Sequence, residues 1–213
     1  MPKSYRYVSA FIDWNSQLLL CGVNIKENPQ VAARLTFEKT ARKITTCLCK
    51  LAPGQQFQIG LRLYHGWHKG FEPSPNLKAI RQIISETDFA ALSTKPNVVF
   101  LPDVGFGDCL ISALPMRIHE KLAIHLPNTL RRERNGTGFE EKMVDTALAS
   151  DIIVTAYQEP ENWILVLAED DDLVPPLFVA EAVVKREGSR VLLLSNRARN
   201  KNFLKLDDIC LGG

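Results

Sequence analysis

Short apolar runs alternate along the chain with longer segments in which apolar residues recur every three or four positions. The runs are rich in β-branched, aromatic and leucine residues and predict five strands, at residues 5–13, 57–66, 97–102, 163–169 and 189–196. The segments with helical spacing predict helices at about residues 31–51, 76–84, 139–158 and 175–187. Asn28-Pro29 and Asn76 suit helix starts, and Gly188 suits the end of the last helix.

Strands that are apolar on both faces and that alternate with helices are typical of a parallel sheet covered by helices on each side. The pattern therefore predicts an α/β fold, a single Rossmann-like domain over residues 1–213 with a mainly parallel sheet of about five strands. Residues 103–139 depart from this alternation and predict an irregular or hairpin insertion. Within it, residues 111–128 suit an antiparallel hairpin and residues 131–138 a basic loop.

The amino-acid composition indicates what kind of partner and which cellular compartment to expect. Of the 213 residues, 46% are hydrophobic and 23% are charged, and the formal net charge is only +2, so attraction to nucleic acid has to come from local patches. The five cysteines lack CxxC spacing and predict reduced thiols. No apolar stretch suits a signal peptide or a membrane span, so we expect a soluble cytoplasmic protein without a membrane partner.

Acidic residues cluster where predicted strands end. Asp13 ends the first strand, and four consecutive acidic residues, 169–172, follow the fourth. Ligands of open parallel sheets bind beyond the carboxyl ends of the strands, and the first strand of such sheets is commonly central. Asp145 lies near the start of the helix that leads into the fourth strand. We therefore expect Asp13, Asp145, Asp170 and Asp172 to converge at one edge of the sheet.

A group of carboxylates without histidine suits Mg²⁺ or Mn²⁺, and a divalent cation would offset the repulsion between the carboxylates. Each aspartate taken alone also has a simpler explanation. Asp172 would cap the helix that follows it, and Asp145 would be a solvated residue paired with Lys142. The predicted meeting of several aspartates at one edge is what favours a metal site.

Three segments together resemble a known family. FIDWN (11–15), EKMVDTALASD (141–151) and LAEDDDLVPPL (167–177) are similar, in order and spacing, to the signature segments of the NYN domain. That family belongs to the PIN-like, or FLAP-nuclease-like, superfamily of ribonucleases. Its usual pattern is a strand ending in FIDxxN, a KGVD segment that opens a helix with a further aspartate, and a strand that runs into SGDxDFxPL.

The resemblance implies a PIN-like fold, a divalent cation and hydrolysis of RNA. Carried over by position, the matching residues are Asp13, Asn15, Asp145, Asp151, Asp170 and Asp172. The departures are Met143 and Glu169 in place of glycines, Ala168 in place of serine and Leu173 in place of phenylalanine. Glu169 is expected to add a carboxylate to the site, where it would change the number of metal ions or obstruct the substrate.

The predicted activity is that of a metal-dependent ribonuclease. Asp13, Asp145 and Asp170 would hold one or two cations, and Asp172 would complete the site, so that a metal-activated water attacks the phosphodiester. Attack by water does not need the ribose 2′-hydroxyl, so single-stranded DNA remains possible as a substrate. Predicted substrate contacts are Asn15, Lys142, Arg131, Arg132, Arg134, His65 and Arg197. Trp67, His68 and Lys69 are further candidates in the same loop as His65, although Trp67 suits core packing equally well.

The sequence also allows functions other than that of a ribonuclease. The main alternative is a catalytically inactive NYN-like module that binds RNA or a protein partner, and the departures from the family pattern motivate it. A haloacid-dehalogenase-like phosphatase would need a second aspartate where Asn15 stands, and no GxSxG segment supports a serine hydrolase. A homodimer is possible, but no apolar patch for one can be assigned from the sequence.

Overall fold

The computed structural model describes residues 5–111, 126, 129–133 and 138–196. In chain order its elements are β1 (Tyr5–Asp13), α1 (Trp14–Leu19), α2 (Pro29–Leu51), β2 (Gln56–Tyr64), β3 (His68–Lys69), β4 (Glu72–Pro73), α3 (Pro75–Glu86), β5 (Val98–Phe100), β6 (Gly105–Phe106), β7 (Leu130–Arg132), β8 (Phe139–Glu141), α4 (Val144–Gln158), β9 (Trp163–Leu167), α5 (Val174–Val184) and β10 (Val191–Leu194).

The main sheet is parallel and has the strand order β10-β9-β1-β2-β5, with short β6 also paired to β2. Strand β1 is central, as predicted. It pairs with β2 over its whole length, and its residues from Val8 to Ile12 pair with β9. The carboxyl ends of β1, β2 and β9 therefore lie side by side at one edge of the sheet.

Helices cover both faces of this sheet, which confirms the predicted α/β architecture. Helices α1, α2 and α3 pack on the face to which Val8, Ala10 and Ile12 of β1 point. Helices α4 and α5 pack on the opposite face, against Phe11. Successive side chains of a strand point to opposite faces, so Asp13 is on the same side as Phe11, toward α4.

Two helix boundaries differ from those predicted, and one short helix was not predicted at all. Ser74, not Asn76, caps α3, because its hydroxyl accepts the N–H of Leu77 at 3.3 Å and Pro75 follows as the first helical residue. Helix α1 was not predicted, since six residues are too few to show a helical period. Helix α5 ends at Val184 and passes into a 3₁₀ turn, after which Gly188 closes the segment with φ 72°.

The region before α4 also differs from its prediction. Residues 139–141 form strand β8, not the start of a helix, and pair antiparallel with β7. Arg131 and Arg132 therefore stand in a strand and not in a loop. Tertiary pairing overrides the helical propensity of this glutamate-rich stretch. Strands β3 and β4 form a second small hairpin in a segment predicted to be a loop. The hairpin predicted at residues 111–128 falls mostly outside the described residues.

Helix α2 is the longest helix, but it carries charged residues along its length. Across the part of the chain that the structure describes, no helix is both long enough and apolar enough to cross a membrane.

Candidate acidic site

The carboxyl ends of β1 and β9 bring acidic residues from distant parts of the chain together. Ile12 pairs with Leu167, so Asp13 lies beside Ala168, and Asp170 follows two residues later. Helix α4 packs against both β1 and α5. Its first turn carries Asp145. The structure thus brings Asp13, Asp145, Asp170 and Asp172 to the same edge of the sheet.

Asp13 is held firmly at the start of α1. One of its carboxylate oxygens accepts the N–H of Ser16 at 3.2 Å, and its backbone carbonyl accepts the Ser16 hydroxyl at 3.0 Å. The pKa of Asp13 is raised to about 6, mainly by burial; the bonds from Ser16 oppose the shift, and the negative charges of Glu141 and Asp145 contribute to it. Asp13 is therefore costly to ionise in the folded protein.

Asp145 lies in the same field of negative charge. The residue is exposed by surface area, but partial desolvation of its carboxyl raises its pKa, and so do the charges of Asp170, Glu141 and Asp172, in that order. The carboxylates of β1, α4 and the segment after β9 thus repel one another at close range. Such repulsion between like charges destabilises the folded state, and groups of this kind are frequent at functional sites.

Glu141, at the end of β8, is a fifth carboxylate of this site that the sequence did not predict as one. It accepts the N–H of Gly66, and its Oε1 lies 2.5 Å from Nδ1 of His65. A Cβ at position 66 would approach Leu130 within 3.0 Å, so glycine allows the close packing of this hairpin on the end of β2. Only the pairing of β7 with β8 brings Glu141 here, and a linear pattern contains no sign of it.

His65 is a buried link and not an exposed substrate contact. It is 7% exposed, and its Nε2 lies 2.6 Å from the side-chain nitrogen of Asn76 while its Nδ1 faces Glu141. Trp67 and His68 are buried as well: Trp67 donates to the carbonyl of Leu63 at 3.1 Å, and the N–H of His68 donates to Thr129 at 3.0 Å. Packing is therefore the role of Trp67.

Glu169 is engaged at the end of β10, the strand on the opposite side of β9 from β1. Its two oxygens accept the Ser195 hydroxyl at 2.8 Å and the N–H of Asn196 at 2.9 Å. Its charge also acts on Lys43 of α2, on the sheet face opposite α4. Glu169 joins the ends of β9 and β10.

The acidic run after β9 is ordered by Asp170 and not by Asp172. Asp170 accepts the N–H of Asp172 at 3.0 Å and caps the 3₁₀ turn that leads into α5. Helix α5 itself has no side-chain cap, so the prediction that Asp172 caps it is wrong. Asp172 is exposed at the acidic edge.

Asp151 matches the family pattern but belongs to the core. It is fully buried, and one oxygen accepts the Tyr64 hydroxyl at 2.7 Å and the Arg62 Nε–H at 3.1 Å. The other oxygen accepts the N–H of Ile111 at 2.8 Å, and Arg62 also donates to the carbonyl of Cys109. Burial raises the pKa of Asp151, whereas these bonds lower it. Its bonds explain its presence without a cation.

The remaining predicted substrate contacts have varied positions. Asn15 is half-buried in the first turn of α1, and Arg131 and Arg132 are exposed on β7. Lys142 is exposed and lies 3.3 Å from Glu140, not beside Asp145. Arg134 and Arg197 lie outside the described residues.

The donor atoms of the site suit a hydrated cation better than a closed cage. In the described ranges, no three histidine, cysteine or acidic side chains form a group arranged to hold a metal ion directly. Mg²⁺ usually keeps several water ligands and contacts only one or two carboxylates, whereas a structural zinc site needs four protein ligands. The oxygen-only side chains of Asp13, Asp145, Asp170 and Asp172 fit the former.

Met143, the residue before α4, adopts a conformation that favours glycine. Its φ is 65°, and it is the N-cap residue of the helix that carries Asp145. The left-handed region costs an ordinary residue about 1–2 kcal/mol. Met143→Gly should therefore raise the free energy of unfolding by about 1 kcal/mol in urea denaturation.

Met143→Ala is the matched control, because alanine also loses the exposed methionine side chain but retains the Cβ that disfavours this conformation. The alanine variant should be no more stable than the wild type. Equal stabilisation by alanine and glycine would contradict the strain at this position.

Comparison of the chain with models of known protein families, with curated proteins and with solved structures finds no match.

Proposed function

We propose that the protein is a metal-dependent nuclease that hydrolyses RNA phosphodiester bonds at the acidic site formed by Asp13, Asp145, Asp170 and Asp172. The observation that carries this proposal is the gathering of these carboxylates at the carboxyl edge of a parallel sheet, where burial and mutual repulsion raise the pKa of Asp13 and Asp145. Perturbed carboxylates at this edge are a frequent mark of a functional site.

Asp13, Asp145 and Asp170 would hold Mg²⁺ or Mn²⁺, directly or through water. Such a cation, when bound, lowers the pKa of water and stabilises the charge that develops on the phosphate. The N–H of Ser16 holds one oxygen of the Asp13 carboxylate in place. Asp172 is exposed at the same edge and is suited to orient a water molecule, and Asn15 offers an amide to a phosphate oxygen.

Three departures from the NYN pattern are compatible with this proposal. Met143 stands where the family has glycine, and its backbone has the left-handed conformation that glycine adopts readily. Leu173 stands where the family has phenylalanine and is buried in the core beside α4 and α5. Glu169 is engaged by Ser195 and Asn196, outside the acidic group. These observations support a PIN-like fold of the NYN type.

A second candidate is a module that binds RNA through the same edge but does not cut it. The absence, from the described part of the chain, of three ligands already arranged around a metal position favours this alternative. The two candidates predict different outcomes in one experiment.

The test is cleavage of end-labelled single-stranded RNA and DNA with Mn²⁺, Mg²⁺ or EDTA. We expect metal-dependent cleavage of RNA that falls at least about a hundredfold in Asp170→Asn, because metal-assisted charge stabilisation contributes several kcal/mol. Asparagine still accepts the N–H of residue 172, so the fold should persist. Products should carry a 5′-phosphate, as water attack requires.

Glu169→Gly is the matched control at the neighbouring position, and it should retain cleavage per folded molecule. Binding without cleavage under every metal condition would favour the non-catalytic module. Cleavage that is unaffected by Asp170→Asn would place the activity elsewhere and reject the site.

A further inference from the structure

Two short hairpins meet beyond the carboxyl end of β2, next to the acidic site. The N–H of His68 on β3 donates to the hydroxyl of Thr129, directly before β7, at 3.0 Å. The ammonium of Lys69 lies 4.9 Å from the ring centroid of Phe139 on β8. The hairpins β3–β4 and β7–β8 are therefore in contact with each other.

Each hairpin carries one exposed aromatic side chain. Phe71 is 70% exposed and Phe139 is 45% exposed. Phe71 occupies the second position of the two-residue turn between β3 and β4, and Gly70 before it has φ 62°, as a tight hairpin turn of type II′ requires. The tight turn fixes the backbone at Phe71, so binding of a ligand to this side chain would cost little backbone conformational entropy.

Strand register connects Phe139 to the acidic site. Phe139 pairs with Arg132, and Glu141 pairs with Leu130, so all four side chains are on one face of the β7–β8 hairpin by the alternation of strands. Arg131 and Glu140 pair with each other on the other face. Glu141 accepts the N–H of Gly66, two residues after Tyr64, and Tyr64 is the register partner of Asp13, so this hairpin face borders the end of β1.

We propose that Lys69, Phe71, Arg132 and Phe139, here called the hairpin surface, bind single-stranded RNA next to the acidic site. Unpaired bases stack on the two phenylalanine rings, and the two cations contact phosphates. In a duplex the bases are stacked on one another and their faces are not available. This inference rests on the proposed function, since it names the form of substrate that the acidic site receives.

The charges around the rings favour nucleic acid over an apolar protein partner. Lys69 lies over Phe139, and Arg132 is its direct cross-strand neighbour, so cations border the aromatic surface. Glu72, the register partner of Lys69, and Glu133, whose carboxylate lies beside Gly138, oppose this charge locally. Glu72→Gln is therefore expected to strengthen RNA binding.

The experiment measures binding in the Asp170→Asn background with EDTA, so that cleavage does not intervene. Labelled single-stranded RNA and a duplex of the same sequence are titrated by fluorescence anisotropy, and an oligonucleotide containing 2-aminopurine reports stacking. The single strand should bind more tightly than the duplex. Loss of both rings in Phe71→Ala/Phe139→Ala should weaken single-strand binding at least tenfold and remove the 2-aminopurine quenching.

Arg132→Ala should weaken binding and reduce the slope of affinity against salt concentration by about one. Tyr157→Ala and Arg186→Ala are matched controls, because Tyr157 is 65% exposed near the far end of α4 and Arg186 is exposed after α5. Neither control should change the affinity. All the replaced side chains are exposed, and thermal melting checks that each variant is folded.

Unchanged affinity and quenching in the double phenylalanine variant would overturn the hairpin surface, as would equal or tighter binding of the duplex. Failure of the wild type to bind single-stranded RNA would also overturn it and would turn attention to a protein partner. Ring-dependent binding by a wild type that never cleaves RNA would support the hairpin surface and reject the nuclease. Cleavage by the wild type, together with binding that does not depend on the two rings, would support the nuclease and reject the hairpin surface.

Discussion

Asp13→Asn is expected to stabilise the folded protein by about 3 kcal/mol at pH 8 while lowering metal-dependent cleavage at least about a hundredfold. The pKa of Asp13 is raised from 3.8 to about 6, so the folded protein ionises this group less readily than the unfolded chain does. Asparagine removes that cost because it carries no charge, and its carbonyl still accepts the N–H of Ser16.

The stability gained in Asp13→Asn should increase with pH. A raised carboxyl pKa makes protonation favour the folded state, so the wild type loses stability as the pH rises from about 4 to about 6. Below pH 4 the two proteins should be equally stable, and above pH 6 the difference should be complete. Urea denaturation of both proteins across this range measures it.

An exposed aspartate outside the acidic site provides the control, and Asp103→Asn should show no such pH-dependent gain. Millimolar Mg²⁺ or Mn²⁺ should raise the melting temperature of the wild type at pH 8 more than that of Asp13→Asn, because ligand binding to the folded state is stabilising. A stability difference that is constant from pH 4 to pH 8 would contradict the burial and repulsion assigned to Asp13.

Asp151→Ala is expected to cost about 3–5 kcal/mol of stability. The change leaves the Arg62 guanidinium largely buried without its carboxylate, and it removes the acceptor of the Tyr64 hydroxyl and of the Ile111 N–H. Replacement of both charged partners, in Arg62→Met/Asp151→Leu, should recover the part of the loss that comes from the unpaired buried charge, but not the part that comes from the Tyr64 hydroxyl and the Ile111 N–H. A double-mutant cycle from urea denaturation measures both effects.

The same position separates a structural role from a role in cation binding. Asp151→Asn should retain cleavage in proportion to the fraction of folded protein, whereas Asp170→Asn should lose cleavage while it stays folded. A folded Asp151→Asn protein without activity would return this residue to the acidic site and would contradict the core network described above.

Much of the fold follows from local pattern. The apolar strands and the periodic helices predict the parallel sheet, and the central place of β1 follows from how such sheets are commonly built. The start of a helix is less predictable where two nearby residues are both suited to cap it. Both Ser74 and Asn76 are good cap residues, and only the hydrogen bond of Ser74 to Leu77 decides between them.

The sequence by itself determined that acidic residues stand at the ends of strands β1 and β9 and at the start of α4, since each position is set by its own segment. The tertiary structure alone decided which carboxylates act together. It added Glu141 through the pairing of β7 with β8, and it turned Glu169 toward Ser195 and committed Asp151 to Arg62. The physical reason is that a carboxylate's pKa and partners depend on groups brought near it by chain pairing, and those groups are remote in sequence.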